Sequence, residues 1–282
     1  MIPVSVLIVT KNEERNVSGC IDSVGKFDEV IVFDSHSTDQ TVDLAKKKGA
    51  TVIQRPFDNF AAHKNWALEN ISFRYPWVLL LDADERVTDE LVAEIVATVK
   101  NPSEHVGFYV ARKNLFGGRW IRHAGMYPDW NLRLLKLGSA RFESRTVHEH
   151  VLLDGPAGFL KQPLVHHNDN KGLDQYIARH NTYSSMEAAE LFKYLNSNDT
   201  SGQISESLFQ SGPGRRRALK HFAYRRLPLL PVFVFLWMYI VRLGFLDGRI
   251  GLRYCILRSY YEYLVCLKLD ELRTNKRALA RS

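Results

Sequence analysis

A run of acidic side chains directly after an apolar segment is the feature of this sequence that points most clearly to chemistry. Residues 77–81, Trp-Val-Leu-Leu-Leu, have the length and composition of a strand buried on both faces. Asp82, Asp84 and Glu85 follow at once. These carboxylates would repel one another unless a cation lay among them, and oxygen ligands suit Mg2+ or Mn2+. The spacing predicts a divalent-metal site, and a solvated turn leading into the next helix is the alternative.

Two more polar clusters follow apolar runs in the same manner. Residues 4–9 lead into Thr10-Lys-Asn-Glu13, and residues 29–33 lead into Asp34-Ser-His-Ser37. Apolar runs alternate with helically spaced segments over roughly the first hundred residues, which predicts an α/β fold with a mostly parallel, Rossmann-like sheet. Ligands bind such sheets at the carboxyl ends of the strands. We therefore expect the three polar clusters to meet on one rim.

Neither glycine-rich phosphate-binding pattern, G-x-G-x-x-G or G-x-x-x-x-G-K-[ST], occurs in the sequence. This argues against a dinucleotide-binding fold and against a P-loop. A bound phosphate would then be met by a metal ion and not by a glycine-rich loop.

Beyond residue 105 the pattern changes to short extended runs with aromatic residues and turn glycines. This predicts an antiparallel extension of the sheet that accepts a second substrate. The predicted divisions are a donor-binding half (1–105), an acceptor-binding half with its following helix (106–195), a linker rich in Ser, Asn and Gly (196–214), and a basic, apolar helical tail (215–282).

Positive charge is concentrated in the tail. The net charge of the chain is +7, but residues 214–282 alone carry fifteen Lys and Arg against four Asp and Glu. Basic residues precede residues 227–241, which are fifteen uncharged residues with two prolines. Because crossing a bilayer takes about twenty apolar residues, we expect residues 215–268 to lie on the inner surface of an anionic membrane. A buried core helix is the alternative.

Other features concern the surroundings in which the protein works. Apolar residues between Tyr254 and Leu267 recur at helical spacing, which indicates a helix that packs on the membrane or on a partner subunit of a homo-oligomer. Three cysteines without C-x-x-C spacing favour a reducing compartment. The first residues lack the basic segment and cleavage site of a signal peptide. We expect a cytoplasmic protein that is peripherally associated with the cell membrane.

Four segments resemble, in their order and spacing, family 2 glycosyltransferases of the GT-A fold. They are Ser-Val-Leu-Ile-Val-Thr-Lys-Asn-Glu (5–13), Phe-Asp-Ser-His-Ser-Thr-Asp-Gln-Thr (33–41), His-Lys-Asn (63–65) and Leu-Asp-Ala-Asp-Glu (81–85). The resemblance covers about the first 150 residues. It implies a GT-A sheet whose first half binds a nucleotide-sugar.

Residues 128–133, 147–149 and 244–248 are similar to a subgroup of that family, the lipopolysaccharide-core β-glucosyltransferases. This similarity implies an inverting, metal-dependent enzyme. Its donor would be a UDP-sugar carrying a hexose such as glucose. Its acceptor would be a bacterial surface glycan, such as the lipopolysaccharide core or a lipid-linked oligosaccharide.

The resemblance also implies roles for single side chains. Asp84 would hold the metal that bridges the two phosphates, and Asp82 would bind ribose, a metal-bound water or the metal. Arg133 is expected to pair with a phosphate or a carboxylate as a fork. The nucleotide-sugar contacts would come from Thr10, Asn12, Glu13, Asp34, Lys64, Asp82 and Arg133. Where the family usually has a second acid after the one at position 34, this chain has Ser35.

Inversion needs a base that takes the proton of the acceptor hydroxyl. Glu149, in the segment Thr-Val-His-Glu-His (146–150), is the first candidate. His148 could take the proton itself or orient Glu149, and Asp129 is the reserve. On a strand, Glu149 would face one side while His148 and His150 face the other. By spacing alone those two histidines could also bind a metal.

Two other classes of protein are alternatives. A sugar nucleotidyltransferase also places metal-binding acids on a parallel sheet, but it usually has a glycine-rich loop after the first strand, where this chain has Lys-Asn-Glu-Glu-Arg (11–15). A nucleic-acid-binding protein could use the basic tail. Because long apolar runs interrupt the charge there, we expect no nucleic-acid partner.

Overall fold

The computed structural model describes residues 2–143, 151–196, 224 and 229–279. These residues form two compact units. The first comprises residues 2–122, 126–142 and 151–172, and the second comprises residues 123–125, residue 143 and the described residues after 172.

The first unit begins with strands and helices in alternation, as the sequence predicts. These elements are β1 (Val4–Thr10), α1 (Val17–Ser23), β2 (Glu29–Asp34), α2 (Thr41–Lys47), β3 (Thr51–Gln54), α3 (Phe60–Asn70) and β4 (Trp77–Asp82). The four strands are parallel and lie side by side in the order β3-β2-β1-β4. Local signals fix the helix ends: Thr88 accepts a hydrogen bond from the Leu91 amide, and Gly49 follows α2 with φ +81°.

Short strands and one helix complete the first unit. They are β5 (Glu85–Arg86), α4 (Asp89–Lys100), β6 (Gly107–Phe116), β7 (Arg119–Trp120), β8 (Asp129–Lys136), β9 (Ala140–Phe142), β10 (Val151–Leu153), β11 (Ala157–Phe159) and β12 (Leu164–His167). β8 joins the parallel strands by pairing antiparallel with β4, and β6 pairs antiparallel with β8. The predicted extension is therefore present. Within it, β11 and β12 run parallel to β6.

Strand β4 is buried on both faces. Leu79 and Leu81 belong to the hydrophobic core on one side of the sheet, which includes α1 and α4. Val78 and Leu80 belong to the core on the other side, which includes α3. This two-sided burial explains why the strand is an unbroken apolar run, as is typical of parallel sheets.

A β-bulge in β8 leaves Arg133 without a paired residue on β6. Tyr109 of β6 pairs with Leu132, whereas the preceding Phe108 pairs with Leu134, so that Arg133 is the extra residue on its strand. Bulges next to functional sites commonly redirect a side chain. Here the alternation of faces along β8 is interrupted at the residue that enters the acidic cluster described below.

The described part of the second unit is mainly helical. Its elements are α5 (Leu173–Asn196), α6 (Leu230–Leu236), a π-helical segment (Trp237–Val241), a 3-10 turn (Gly244–Asp247) and α7 (Gly248–Leu279). Leu191 of α5 packs with Leu230, Val265 and Leu269 in one apolar cluster. Helix α5 therefore lies with the tail, although the sequence grouped residues up to 195 with the acceptor half. The predicted linker and most of residues 215–228 fall outside the described residues.

No single helix in the described ranges is long and apolar enough to cross a membrane. Residues 230–241 and 244–276 meet that criterion only as a pair, and they are bent by 72° at the break between them.

The buried face of β4 gives a first prediction. Leu79→Ala removes a fully buried side chain from the core and should lower the free energy of unfolding by about 2–5 kcal/mol. Leu173→Ala, at a side chain that is 54% exposed, should change it by about 0.5 kcal/mol or less. Urea unfolding monitored by circular dichroism measures both. Equal effects of the two substitutions would contradict the placement of β4 in the core.

Candidate active site

The three polar clusters of the sequence meet at one rim of the sheet. Thr10 at the end of β1 pairs in register with Asp34 at the end of β2, and Val9 pairs with Asp82 at the end of β4. The predicted convergence of loops from distant points of the chain is therefore confirmed, because parallel strands bring their carboxyl ends to the same edge.

Asp34 organises the rim from inside. Its Oδ1 accepts hydrogen bonds from the hydroxyls of Thr10 (2.9 Å) and Ser37, and its Oδ2 accepts from the Ser37 amide (2.8 Å) and Gln54 (3.0 Å). Burial raises the pKa of the Asp34 carboxyl, but the bonds from Ser37, Gln54 and Thr10 outweigh burial and hold the pKa below its ordinary value.

Asp34 has a structural role in this geometry, and the nucleotide-sugar contact expected of it stays a prediction. A carboxylate has about four lone-pair positions, and four donors of the chain already bind this one. The side chain is also fully buried. Asp34 therefore shapes the loop, and a direct contact with uracil or ribose would require it to give up an internal bond.

The loop after β1 is braced against the loop after β2. Asn12 has a left-handed backbone conformation (φ +53°). Its side-chain Oδ1 accepts a hydrogen bond from the backbone amide of Thr38 at 2.8 Å, and its backbone amide donates to Ser37 Oγ at 2.7 Å. Glu13 receives Lys171 Nζ at 2.5 Å and Asn16 Nδ2 at 2.8 Å. Burial raises the pKa of Glu13, and these two partners oppose it only in part.

Behind the rim, His63 is a buried brace. Its ring stacks on Phe33 with centroids 4.2 Å apart, and its nitrogens lie 3.1 Å from Ser35 Oγ and 3.2 Å from Arg55 Nη1. Burial, and then the charge of Arg55, lower the pKa of His63 to about 4. The imidazole is therefore neutral at physiological pH. Its neighbour Asn65 binds both backbone groups of Phe142 and so fixes β9 to α3.

Lys64 lies between His63 and Asn65 in the sequence and has a different environment. Its Nζ is 5.0 Å from the ring centroid of Phe142, and its charge contributes to the lowered pKa of Asp82. The lysine is only partly buried. Its positive charge therefore acts on the acidic cluster, and its contact with a diphosphate stays a prediction.

The acidic cluster is neutralised by arginines. Arg133 Nη2 lies 2.5 Å from Asp82 Oδ2 and 2.6 Å from Glu85 Oε1, and Glu85 is fully buried. Arg112 approaches Glu85 at 3.6 Å. Guanidinium groups from β8 and β6 therefore supply part of the positive charge that the sequence led us to expect from a metal ion.

The ion pairs also define what Arg133 does. The sequence predicts that Arg133 pairs with a phosphate or a carboxylate as a fork. In the structure it binds two carboxylates through the single nitrogen Nη2, and not as a fork. Burial raises the pKa of Asp82, whereas Arg133, then Lys64 and Arg112, lower it more strongly. Asp82 is consequently an anion whose side chain is still 38% exposed. It keeps a surface that a ribose or a metal-bound water could reach.

Asp129, the reserve base, is tied to Arg112. Its Oδ2 accepts two bonds from that guanidinium, at 2.9 and 2.8 Å, and a third from Asn114 at 3.1 Å. Burial raises the pKa of Asp129, but Arg112 and Asn114 bring it below the ordinary value. A carboxylate held this way is a weak proton acceptor. The other two candidates, Glu149 and His148, and also His150, lie outside the described residues.

Asp84 and His166 form the pair best suited to a metal. His166 Nδ1 lies 2.6 Å from Asn114 Oδ1, an orientation fixed because Asn114 Nδ2 binds Asp129. The other ring nitrogen, Nε2, then faces Asp84 Oδ2 at 3.4 Å. With Nδ1 bound to Asn114, Nε2 is the ring nitrogen that lies toward the Asp84 carboxylate. This arrangement suits a shared divalent cation, and the bond to Asn114 fixes the tautomer.

His166 was not a candidate in the sequence. Its position at the end of a short strand, in the run Val-His-His (165–167), is the only sequence signal that could have found it. The backbone amide of His167 donates to the carbonyl of Asp84 at 2.8 Å and so holds β12 against the acidic loop. Over the described ranges, no three His, Cys, Asp or Glu side chains are grouped to hold a metal. Among the described residues, Asp84 and His166 would therefore need additional ligands to complete the coordination of a metal ion.

The fold and the arrangement of the rim agree with the protein family that the sequence matches. The sequence model of glycosyl transferase family 2 matches residues 5–166, which extend from β1 to β12. The chain belongs to this family, and the resemblance found in the sequence is confirmed. It is a glycosyltransferase of the GT-A fold.

Named relatives support the same class. An uncharacterised glycosyltransferase of Rickettsia typhi is 29% identical over 98% of this chain and 90% of its own length. The lipopolysaccharide core biosynthesis glycosyltransferase LpsC of Rhizobium meliloti is 32% identical over 66% of this chain and 71% of its own length.

Among solved structures, the mannosyltransferase PcManGT of Pyrobaculum calidifontis, in complex with GDP-Man and Mn2+, has a TM-score of 0.51. The likeness covers 95% of this chain and 86% of that one at 15% sequence identity. At this identity the likeness concerns the fold.

The arginine between the acids gives a second prediction. Arg133→Met leaves Asp82 and the buried Glu85 without their common partner and should lower the free energy of unfolding by about 3–5 kcal/mol near neutral pH. Arg141→Met, at an exposed arginine, should have little effect. Urea unfolding of both variants tests this.

The decrease in the free energy of unfolding caused by Arg133→Met should become smaller as the pH falls. Because the pKa of Asp82 is lowered in the folded protein, its ion pair stabilises the fold above the ordinary value of about 4 and ceases to do so as the pH falls through the lowered value. In the variant, acid relieves the unpaired carboxylates by protonating them. The difference between wild type and Arg133→Met should therefore shrink below about pH 4. A difference independent of pH would mean that packing, and not charge, is lost.

Proposed function

We propose that this glycosyltransferase is an inverting, metal-dependent enzyme that moves a hexose from a UDP-sugar to a bacterial surface glycan. The Asp84–His166 pair at the carboxyl ends of the parallel strands carries this proposal. Membership of family 2 supports glycosyl transfer, and the likeness to a lipopolysaccharide core transferase supports a glycan acceptor such as the lipopolysaccharide core or a lipid-linked oligosaccharide.

Asp84 and His166 would hold Mg2+ or Mn2+, and Asp82 would serve through its exposed side or through a metal-bound water. Carboxylate and imidazole ligands fit such an ion. When bound, the metal supplies a positive charge that stabilises the leaving nucleoside diphosphate. Lys64, whose charge lowers the pKa of Asp82, would meet the diphosphate as a point charge.

The rest of the rim would position the donor. Thr10, Asn12 and Glu13 lie on or beside the loop that Asp34 and Ser37 hold in place. These loops are hydrogen-bonded to each other without a ligand, and such preorganisation lowers the cost of ordering the site on binding. Arg133 would act indirectly, by holding Asp82 in place.

The acceptor hydroxyl would lose its proton to Glu149, with His148 as orienter or substitute. Asp129 is the weaker candidate because Arg112 holds its pKa below the ordinary value. The deprotonated acceptor oxygen would form its bond to the anomeric carbon on the face opposite the leaving nucleoside diphosphate, whose bond to that carbon breaks, and this inverts the anomeric configuration.

The metal pair gives a third prediction. Asp84→Asn should lower metal-dependent turnover by about a hundredfold or more, and His166→Gln should raise the Mn2+ concentration needed for half-maximal rate by about ten- to a hundredfold. Calorimetric titration of Mn2+ in the presence of UDP measures the loss of metal affinity in both variants without requiring turnover. Asp89→Asn, at an exposed carboxylate on α4, is the matched control.

Two results would contradict this assignment. One is normal metal-dependent turnover in Asp84→Asn. The other is release of pyrophosphate in place of UDP, which would indicate nucleotidyl transfer.

The base gives a fourth prediction. Glu149→Gln keeps the size of the side chain but cannot accept a proton, so kcat should fall by about a hundredfold or more while donor binding stays unchanged. Steady-state kinetics combined with UDP-sugar titration separates the two effects. Wild-type turnover would move the base to His148 or Asp129, and the variants His148→Gln and Asp129→Asn then decide between them.

A further inference from the structure

The second unit exposes a continuous apolar surface that catalysis does not use. It covers α6, the π-helical segment and the 3-10 turn, residues 229–246, which we call the apolar elbow. Ten large apolar side chains of this segment are 42–60% exposed: Leu229, Val232, Phe233, Leu236, Trp237, Ile240, Val241, Leu243, Phe245 and Leu246. Scattered exposed apolar residues are ordinary, but a contiguous patch of this kind marks an interaction surface.

The exposed side chains form one helical face. From Val232 to Val241 they recur at positions i, i+1, i+4 and i+5, while Leu230 and Met238 on the other face are buried. Helix α7 adds a second exposed apolar row at helical spacing: Ile256, Tyr260, Tyr263 and Leu267. A helix that is apolar on its outer and its inner face needs an apolar environment on both sides.

One buried acid of the unit is paired inside it. Glu262 is buried and is bound by the hydroxyl of Tyr224 and by Arg258 at 3.3 Å. Lys268, which is only partly buried, donates from Nζ to the side chains of Asn181 (2.7 Å) and Ser184 (2.8 Å). Glu262 therefore adds no exposed negative charge among the apolar side chains of α7.

Among residues 229–267 the exposed charges have one sign, and the exposed acids Asp270 and Glu271 follow Leu267 on α7. Between Leu229 and Leu267, all of which the structure describes, the exposed charged side chains are Arg242, Arg249 and Arg253. The two acids of that range are not exposed: Asp247 binds the backbone and the ring of His123, and Glu262 is paired as above. Apolar surface bordered by arginines matches the interface of a membrane that contains anionic lipid.

Its dimensions are those of a segment that enters one leaflet. Residues 230–241 would be about 18 Å long as a helix, whereas the hydrocarbon core of a bilayer is about 30 Å thick. The chain then bends by 72° into α7.

Other coverings of the elbow fit less well. Residues 197–223 have few large apolar side chains, mainly Ile204, Leu208, Phe209, Leu219 and Phe222. They could not bury ten such side chains in return. A second copy, joined face to face, would bring two sets of exposed arginines together, and like charges at an interface are unfavourable.

We propose that the apolar elbow inserts into one leaflet of a membrane rich in anionic lipid, with Arg242, Arg249 and Arg253 at the level of the phosphates. The elbow thereby anchors the transferase to the surface that carries its proposed glycolipid acceptor. This last step rests on the proposed function, whereas lipid binding itself does not require a sugar donor.

Flotation of the full chain with lipid vesicles tests the fifth prediction. The protein should float with vesicles of phosphatidylcholine and phosphatidylglycerol, and less with phosphatidylcholine alone or at high salt. Phe233→Ser combined with Ile240→Ser should weaken the partition coefficient by about tenfold or more. Leu173→Ser combined with Ile177→Ser, also two exposed apolar side chains, should leave it unchanged.

Two further variants separate charge from apolar insertion. Arg249→Gln combined with Arg253→Gln should weaken binding to the anionic vesicles by about thirtyfold at low salt, since each arginine near the surface contributes about 1 kcal/mol. Brominated lipid should quench Trp237 fluorescence, a signal that Trp237→Phe removes. Circular dichroism confirms that each variant is folded.

The proposal is overturned if the wild type does not float, or if the elbow variant floats as the wild type does. It is also overturned if the wild type is a dimer that the elbow substitutions dissociate while flotation is unaffected, because a second copy then covers the elbow. None of these results depends on glycosyl transfer, so the anchor and the enzyme can fail separately.

Discussion

The compensation of charge at the buried end of β4 is the constraint on which the rest of the site depends. An apolar strand that ends in acids would place carboxylates at the edge of the core, where an unpaired charge is very costly. Arg133 and Arg112 remove that cost by binding Asp82, Glu85 and Asp129. Because both arginines belong to the antiparallel extension, the half of the sheet expected to receive the acceptor also holds the acids of the donor half in place.

This arrangement divides the acids by function. Glu85 and Asp34 accept hydrogen bonds from other residues of the chain, and they hold loops at fixed positions. Asp84 lies between the two acids that Arg133 binds, and it turns toward His166, which Asn114 orients. A metal ligand needs such orientation more than it needs exposure, since the partners of a ligand fix its geometry and its tautomer. The rim is thus largely held together by hydrogen bonds within the chain.

The second unit follows a different physical rule from the first. The sheet hides its apolar residues between helices, whereas the tail exposes apolar faces and hydrogen-bonds its polar groups internally. Folding in water would not favour that distribution by itself. It becomes favourable when the outer face has lipid to contact, as the proposed insertion into a membrane leaflet would provide.

The sequence by itself determined the elements that depend on neighbouring residues. The alternation of β1 to β4 with helices, the cap at Thr88, the turn at Gly49 and the meeting of three clusters on one rim all follow from local patterns and from the geometry of parallel strands. Only the tertiary structure decided which carboxylates pair with arginine and which lies next to a histidine. Arg133 reaches the acids because a bulge interrupts the alternation of β8, and His166 meets Asp84 because β12 returns to the edge of the sheet. Partners brought together from such distant segments leave no periodic trace in the sequence, since their pairing depends on strand order and register, which local patterns do not encode.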